Sequence, residues 1–137
     1  MKNYLICLVL ICFLACQKES QFKTTLYQAT DLHNNKATLL LKVYDDSFYG
    51  DYVVHYANKM RDSGMVKGEI INDSLIGRYT HISFSGAKKV SPFLLLKRAD
   101  TLKLGTGQVF TYMHIPFYKQ STITFNDSSF QFLPQIK

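Results

Sequence analysis

Four histidines, ten carboxylates and three cysteines are the groups with which this 137-residue chain could do chemistry. The histidines (His33, His55, His81, His114) include no His-x-His and no helical pair four apart, the spacings with which a short segment grips a metal. His55 and His81 fall on different expected strands and His114 just past a third, so the three could converge, with Met113 as a soft copper ligand. Ordinary surface or hydrogen-bonded histidines are the simpler reading, so no metal and no cofactor is expected. Of the carboxylates, Asp45, Asp46, Asp62, Asp73, Asp100 and Asp127 sit in turn-like sequence, where solvent and backbone bonding account for them. Asp51 and Glu69, with Arg78, read as outward cross-strand partners rather than a catalytic pair. No Gly-x-Ser-x-Gly, phosphate-binding glycine loop or dinucleotide fingerprint occurs, so no catalytic residue is assigned and an enzyme is not expected. That leaves the thiol of Cys16, which follows the small Ala15 at the end of an apolar run and is placed for acylation.

Lys2 supplies a positive start, and residues 4–15 form an apolar stretch within the ~7–15 of a signal h-region and well short of the ~20 that span a bilayer. Phe13-Leu14-Ala15-Cys16 resembles the lipobox of bacterial lipoproteins, with Phe13 where Leu is usual. The resemblance implies cleavage after residue 15 and lipid attachment at Cys16, so that two or more acyl chains hold the protein at a membrane. An ordinary secretory signal with a free Cys16, or an uncleaved anchor, is the alternative. Gln17 in place of Asp favours delivery to the outer membrane, by analogy with enterobacterial sorting. Gln17-Lys18-Glu19-Ser20 is faintly similar to the export signal of surface lipoproteins of the Bacteroidota. Periplasmic and surface exposure both fit.

Removing residues 1–15 leaves 122, a single-domain length able to bury a core unaided. The expected organisation is a signal peptide (1–15), a lipidated tether (16–22) and one domain (23–137). All three cysteines lie at or before position 16, so the mature chain can form no internal disulfide. The formal charge of +6 falls to +5 on losing Lys2. Such a balance could steer the domain towards lipopolysaccharide, lipid headgroups or an acidic partner. Because the cations are dispersed along the chain, simple solvation of strand faces is the preferred reading, and nucleic acid is not an expected partner.

What must position these groups is a β framework. Runs rich in Tyr, Phe, Val, Ile, Leu and Thr alternate at intervals of about ten residues with Asn, Asp, Ser and Gly clusters, the pattern of an all-β sandwich or barrel. Strands are expected over 23–30, 37–44, 48–56, 64–71, 74–84, 91–98, 101–112, 121–125 and 129–133. Their short turns make an antiparallel meander. Phe48, Gly50, Tyr52, Val54 and Tyr56 share one face by period two. Gly50-Asp51-Tyr52, Gly68-Glu69-Ile70 and Gly77-Arg78-Tyr79 repeat a mid-strand glycine, and these, with Gly105 and Gly107, read as curvature points. The fold class is therefore all-β: a meander closing into a small barrel of about eight strands, preceded by a cleaved signal helix. Closure removes exposed edges and makes a monomer the expectation. The Pro116 region, with His114, Phe117 and Tyr118, reads as a longer loop across one barrel end.

Nine tyrosines and ten phenylalanines are the remaining signal. Phe48, Tyr52, Tyr56, Tyr79, Phe93 and Phe110 are expected to point inward and either fill the core, the preferred reading, or line an apolar cavity. Tyr52, Tyr56, Tyr79, Phe93 and Phe110 are the candidate ligand-lining residues. From Tyr27 to Gly107 the order of Gly-x-Tyr and Gly-x-Ile strands resembles small uncharacterised envelope lipoproteins with barrels of the calycin or stress-sensing NlpE type. The Cys-x-x-Cys of the NlpE-type domain is absent, so metal sensing is not carried over. The expected function is non-enzymatic binding of a small apolar or amphipathic ligand, or of an envelope component. The alternative is an interaction or inhibitor protein that presents barrel-end loops to a protein partner. A hollow barrel would favour the first, and a filled one with a protruding segment near 58–63 or 113–119 the second.

Overall fold

The computed structural model describes residues 22–135. The signal peptide, Cys16 and all but the last residue of the tether lie outside the described residues. Eight strands close into an antiparallel barrel: β1 (Lys23–Thr30), β2 (Lys36–Tyr44), β3 (Ser47–His55), β4 (Arg61–Ile71), β5 (Ser74–Ile82), β6 (Lys88–Arg98), β7 (Thr101–Leu104) and β10 (Gln131–Pro134). A separate two-stranded ribbon, β8 (Val109–Tyr112) with β9 (Ile115–Tyr118), is inserted between β7 and β10.

Long apolar-polar alternation builds the wall. On β2, buried Ala37, Leu39 and Leu41 alternate with less buried neighbours, and on β3 so do Phe48, Gly50, Tyr52 and Val54. Their inward faces meet Val66, Leu75, Tyr79, Phe93, Leu95, Leu102 and Phe132 in one core. Curvature falls where the repeated glycines stand. Gly68 faces Gly77 across β4 and β5, and a Cβ on Gly68 would strike the carbonyl of Ile76 and come within 2.6 Å of the Gly77 Cα. The strands coil so closely here that only glycine fits on either side.

Because the chain meanders, its connections alternate between two ends. The lower end carries the start of β1 and the turns at 45–46, 72–73 and 99–100. The upper end carries the loops 31–35, 56–60 and 83–87 and the excursion 105–130.

Three expectations are corrected. The strand expected over 101–112 is two: after Leu104 the chain leaves the barrel, and β8 belongs to the ribbon. Gly105 marks the exit, with its N–H still bonded to the Leu94 carbonyl at 2.8 Å. A strand over 121–125 does not form; a 3-10 turn (Gln120–Thr122) and a single bridge between Thr106 and Thr124 stand there. Phe110, expected to point into the barrel, lies on the ribbon and is 42% exposed. Its period-two pattern was sound, but it belongs to a different sheet.

Candidate functional site

Of the five aromatic candidates, the barrel brings three together. Tyr52 on β3 packs edge-on to Tyr79 on β5, with ring centroids 4.8 Å apart, and lies 5.3 Å from Phe93 on β6 and 6.0 Å from Phe132 on β10. The Tyr79 hydroxyl donates to the Tyr52 carbonyl at 3.1 Å. Burial pushes the Tyr52 phenol far above its usual range, with the neighbouring phenol of Tyr79 adding to the effect. Tyr79 is raised by burial and then by the charge of Asp62. These rings pack against one another across the barrel.

Tyr56 stands just beyond β3, at the upper end. Its hydroxyl donates to Asp62 Oδ2 at 2.8 Å, while the Phe84 N–H donates to Asp62 Oδ1 at 2.6 Å. Asp62 thus joins the second upper loop to the third, a buried structural role that sequence reading assigned to a solvated turn. Burial, followed by this hydrogen bond, pushes the Tyr56 phenol up to about 12. Nearby, the His81 ring stacks on Tyr79 with centroids 4.2 Å apart, and its Nδ1 is buried with no partner. His33, His55 and His114 are exposed, and among the described residues no three His, Cys, Asp or Glu side chains are placed to hold a metal.

The ribbon was not anticipated as an element. Its pairs are Val109 with Tyr118, Phe110 with Phe117, Thr111 with Pro116 and Tyr112 with Ile115. Period two therefore splits it into two faces. Pro116 and Tyr118 are partly buried, and β9 packs against β6. Burial raises the Tyr118 phenol. The opposite face collects Phe110, Tyr112, Ile115 and Phe117, with exposures from 42% to 70%. Lys119 Nζ lies 5.8 Å from the Phe110 ring centroid. Met113 and His114, at the tip, both take positive φ, the geometry of a tight primed turn.

The lower end holds an open hollow of about 230 Å³, lined by Tyr27, Leu41, Val43, Ile70, Leu75 and Leu102 together with the charged Lys23, Lys97 and Asp73. Burial raises the Tyr27 phenol, and the Asp100 charge adds to it. No family model matches the chain, and no curated protein and no solved structure matches it either.

Proposed function

We propose that this is a non-enzymatic, lipid-anchored envelope barrel that recognises a protein partner through the outer face of its ribbon. The observation that carries the reading is the exposed set Phe110, Tyr112, Ile115 and Phe117 on a barrel whose own aromatics are packed together. Aromatic residues with Met and a flanking cation make the composition of a protein interface core, and such a patch on a small domain marks an interaction site. The anchor rests on the lipobox resemblance: the few residues from Cys16 to β1 reach at most about 25 Å, so the lower end faces the bilayer and the ribbon faces away.

A photoreactive amino acid at Tyr112 is expected to give one discrete protein adduct in cells, and the same group at Ile76, exposed on the β5 wall, none. Absence of an adduct from both Tyr112 and Phe117 would sink the reading. Cys16→Ser is expected to move the protein out of the membrane fraction.

A second reading places a small amphipathic ligand in the lower hollow, with its apolar part against Leu41, Leu75 and Leu102 and an anionic group at Lys23 and Lys97. Its volume lies below the ~300–1,000 Å³ of most ligand sites. Native mass spectrometry of the protein taken from its own envelope tests it by the presence of a retained small molecule.

A further inference from the structure

Cations that are dispersed along the chain are gathered in space. In a meander every second connection returns to the same end, and here the upper ones are bordered by Lys36, Lys59, Arg61, Lys88 and Lys89, all exposed. The register sharpens this. Lys36 stands opposite His55, and His55 opposite Arg61, so three outward groups run in line across β2, β3 and β4. Ser63, Ile82 and Lys88 continue the next line across β4, β5 and β6.

Asp31 and Asp62 offset only part of the charge of the five rim cations, and each is held in hydrogen bonds within the loops. Asp31 accepts the backbone N–H groups of His33 and Asn35 and the Asn35 amide, and Asp62 accepts Phe84 and Tyr56. Among the described residues, the ion pairs join Arg98 to Asp73 and Lys103 to Asp127, and none includes a rim cation. The lower end is balanced instead: its turns carry Asp45, Asp46, Asp73 and Asp100 beside Lys23, Lys97 and Arg98. Lys36 and Arg61 flank His55, and with Lys59, Lys88 and Lys89 they outnumber the carboxylates here, so their summed field leaves the rim with a positive potential.

We infer that the upper rim is an anion-recognising surface that receives a carboxylate-rich patch of the protein partner. The inference rests on the preceding reading only in taking that partner to be a protein. Two observations favour protein carboxylates over a phosphate polymer or a bilayer. Exposed Met60, Ile82 and Phe84 are interspersed with the cations, and β6, which begins at Lys88, packs against the ribbon. Arginine beside methionine and aromatics is interface composition. The rim also lies at the end opposite the start of β1, away from the membrane that Cys16 would hold.

The test uses the full-length protein in non-ionic detergent, with poly-L-glutamate as probe at about 0.05 M salt, where screening is weak. Lys36→Glu/Arg61→Glu/Lys88→Glu is expected to weaken binding at least about tenfold. The matched reversal Lys67→Glu/Arg78→Glu/Arg98→Glu, of equal net charge and on exposed positions away from the rim, is expected to change it less than about twofold, with both variants melting as the parent does. Equal losses would reduce the effect to net charge and overturn the inference. So would no binding, or tighter binding to polyphosphate or to phosphatidylglycerol vesicles. Poly-L-glutamate binding reads the rim and the adduct at Tyr112 reads the ribbon, so a ribbon that gives no cellular adduct and a rim that binds no carboxylate are separate failures.

Discussion

The lower end of the barrel turns its strands in pairs of residues, at 45–46, 72–73 and 99–100, whereas the upper end uses 31–35, 56–60, 83–87 and the excursion 105–130. Lower turns are fastened to the next hairpin: Ile70 N–H bonds the Asp46 carbonyl and Lys97 N–H the Asp73 carbonyl, each at 2.7 Å. Upper loops are built to one design. In each, the first residue's N–H bonds the last residue's carbonyl (Asp31 to Asn35, Tyr56 to Met60, Ser83 to Ala87), and the fourth residue takes positive φ (Asn34, Lys59, Gly86). This is a type I turn closed by a left-handed residue, a common longer hairpin connection. The contrast teaches where the molecule spends chain beyond what closing a barrel requires. The lower end uses the minimum, and the upper end adds a buried carboxylate, a cationic rim and an apolar ribbon.

The largest expected difference between the ends is in what an aspartate does. Asp62→Ala would strip Tyr56 and the Phe84 N–H of a charged, buried acceptor and is expected to cost about 2–4 kcal/mol, since hydrogen bonds to charged groups contribute ~1.5–3 each. Asp73→Ala removes an exposed pair with Arg98 at 3.9 Å and is expected to cost less than about 0.5 kcal/mol. Urea unfolding followed by far-ultraviolet circular dichroism measures both. Equal costs would dissolve the comparison.

Alkaline pH probes the same end more gently. Tyr56, Tyr52 and Tyr79 are all held neutral to higher pH in the folded protein than in the unfolded chain. The folded state therefore keeps protons that the unfolded state loses, so stability is complete below about pH 10 and falls as pH rises from there through the folded values, the lowest of them near 12. Tyr56→Phe is expected to cost about 1–2 kcal/mol at pH 7, through the bond lost to Asp62. It should also make the decline above pH 10 shallower. A stability profile flat from pH 8 to 12 would contradict the assignment.

Much of the wall was legible because the physics that forms it is local. Lys23–Thr30 and the β2, β3 and β5 hairpins announced themselves through period-two alternation and Asn or Asp turns, and Gly68 and Gly77 marked the tight coil before their contact was visible. What escaped depended on which end a residue occupies. Lys36, Arg61 and Lys88 are far apart in the chain and look like scattered solvation, yet a meander returns them to one rim. The signal was available once every second turn was assigned to the same side. Val109 to Tyr118 alternated correctly but carried no mark of membership in another sheet, because Gly105 and Gly107 read as bends within a strand. Asp62 looked like a turn residue because its partners, Tyr56 and Phe84, are joined to it only by closure of the upper loops.

The smallest expected effects lie in the turns themselves. Lys59 holds a φ of 68° where the equivalent loops have asparagine and glycine, and Ala99 holds 50° in a lower turn. A Cβ in the left-handed region costs about 1–2 kcal/mol, partly offset because glycine loses more freedom on folding. Lys59→Gly and Ala99→Gly are each expected to stabilise by about 0.5–1 kcal/mol, read as a rise in the urea midpoint without a change in slope. Met113→Asn with His114→Gly would relieve the ribbon tip in the same way. If the tip serves only to close the ribbon, the adduct at Tyr112 should survive that change at full yield. If the tip side chains belong to the recognising surface, the ribbon gains stability while the adduct weakens. That opposition is expected of the upper end, while Ala99→Gly is expected to stabilise the lower end with the adduct intact.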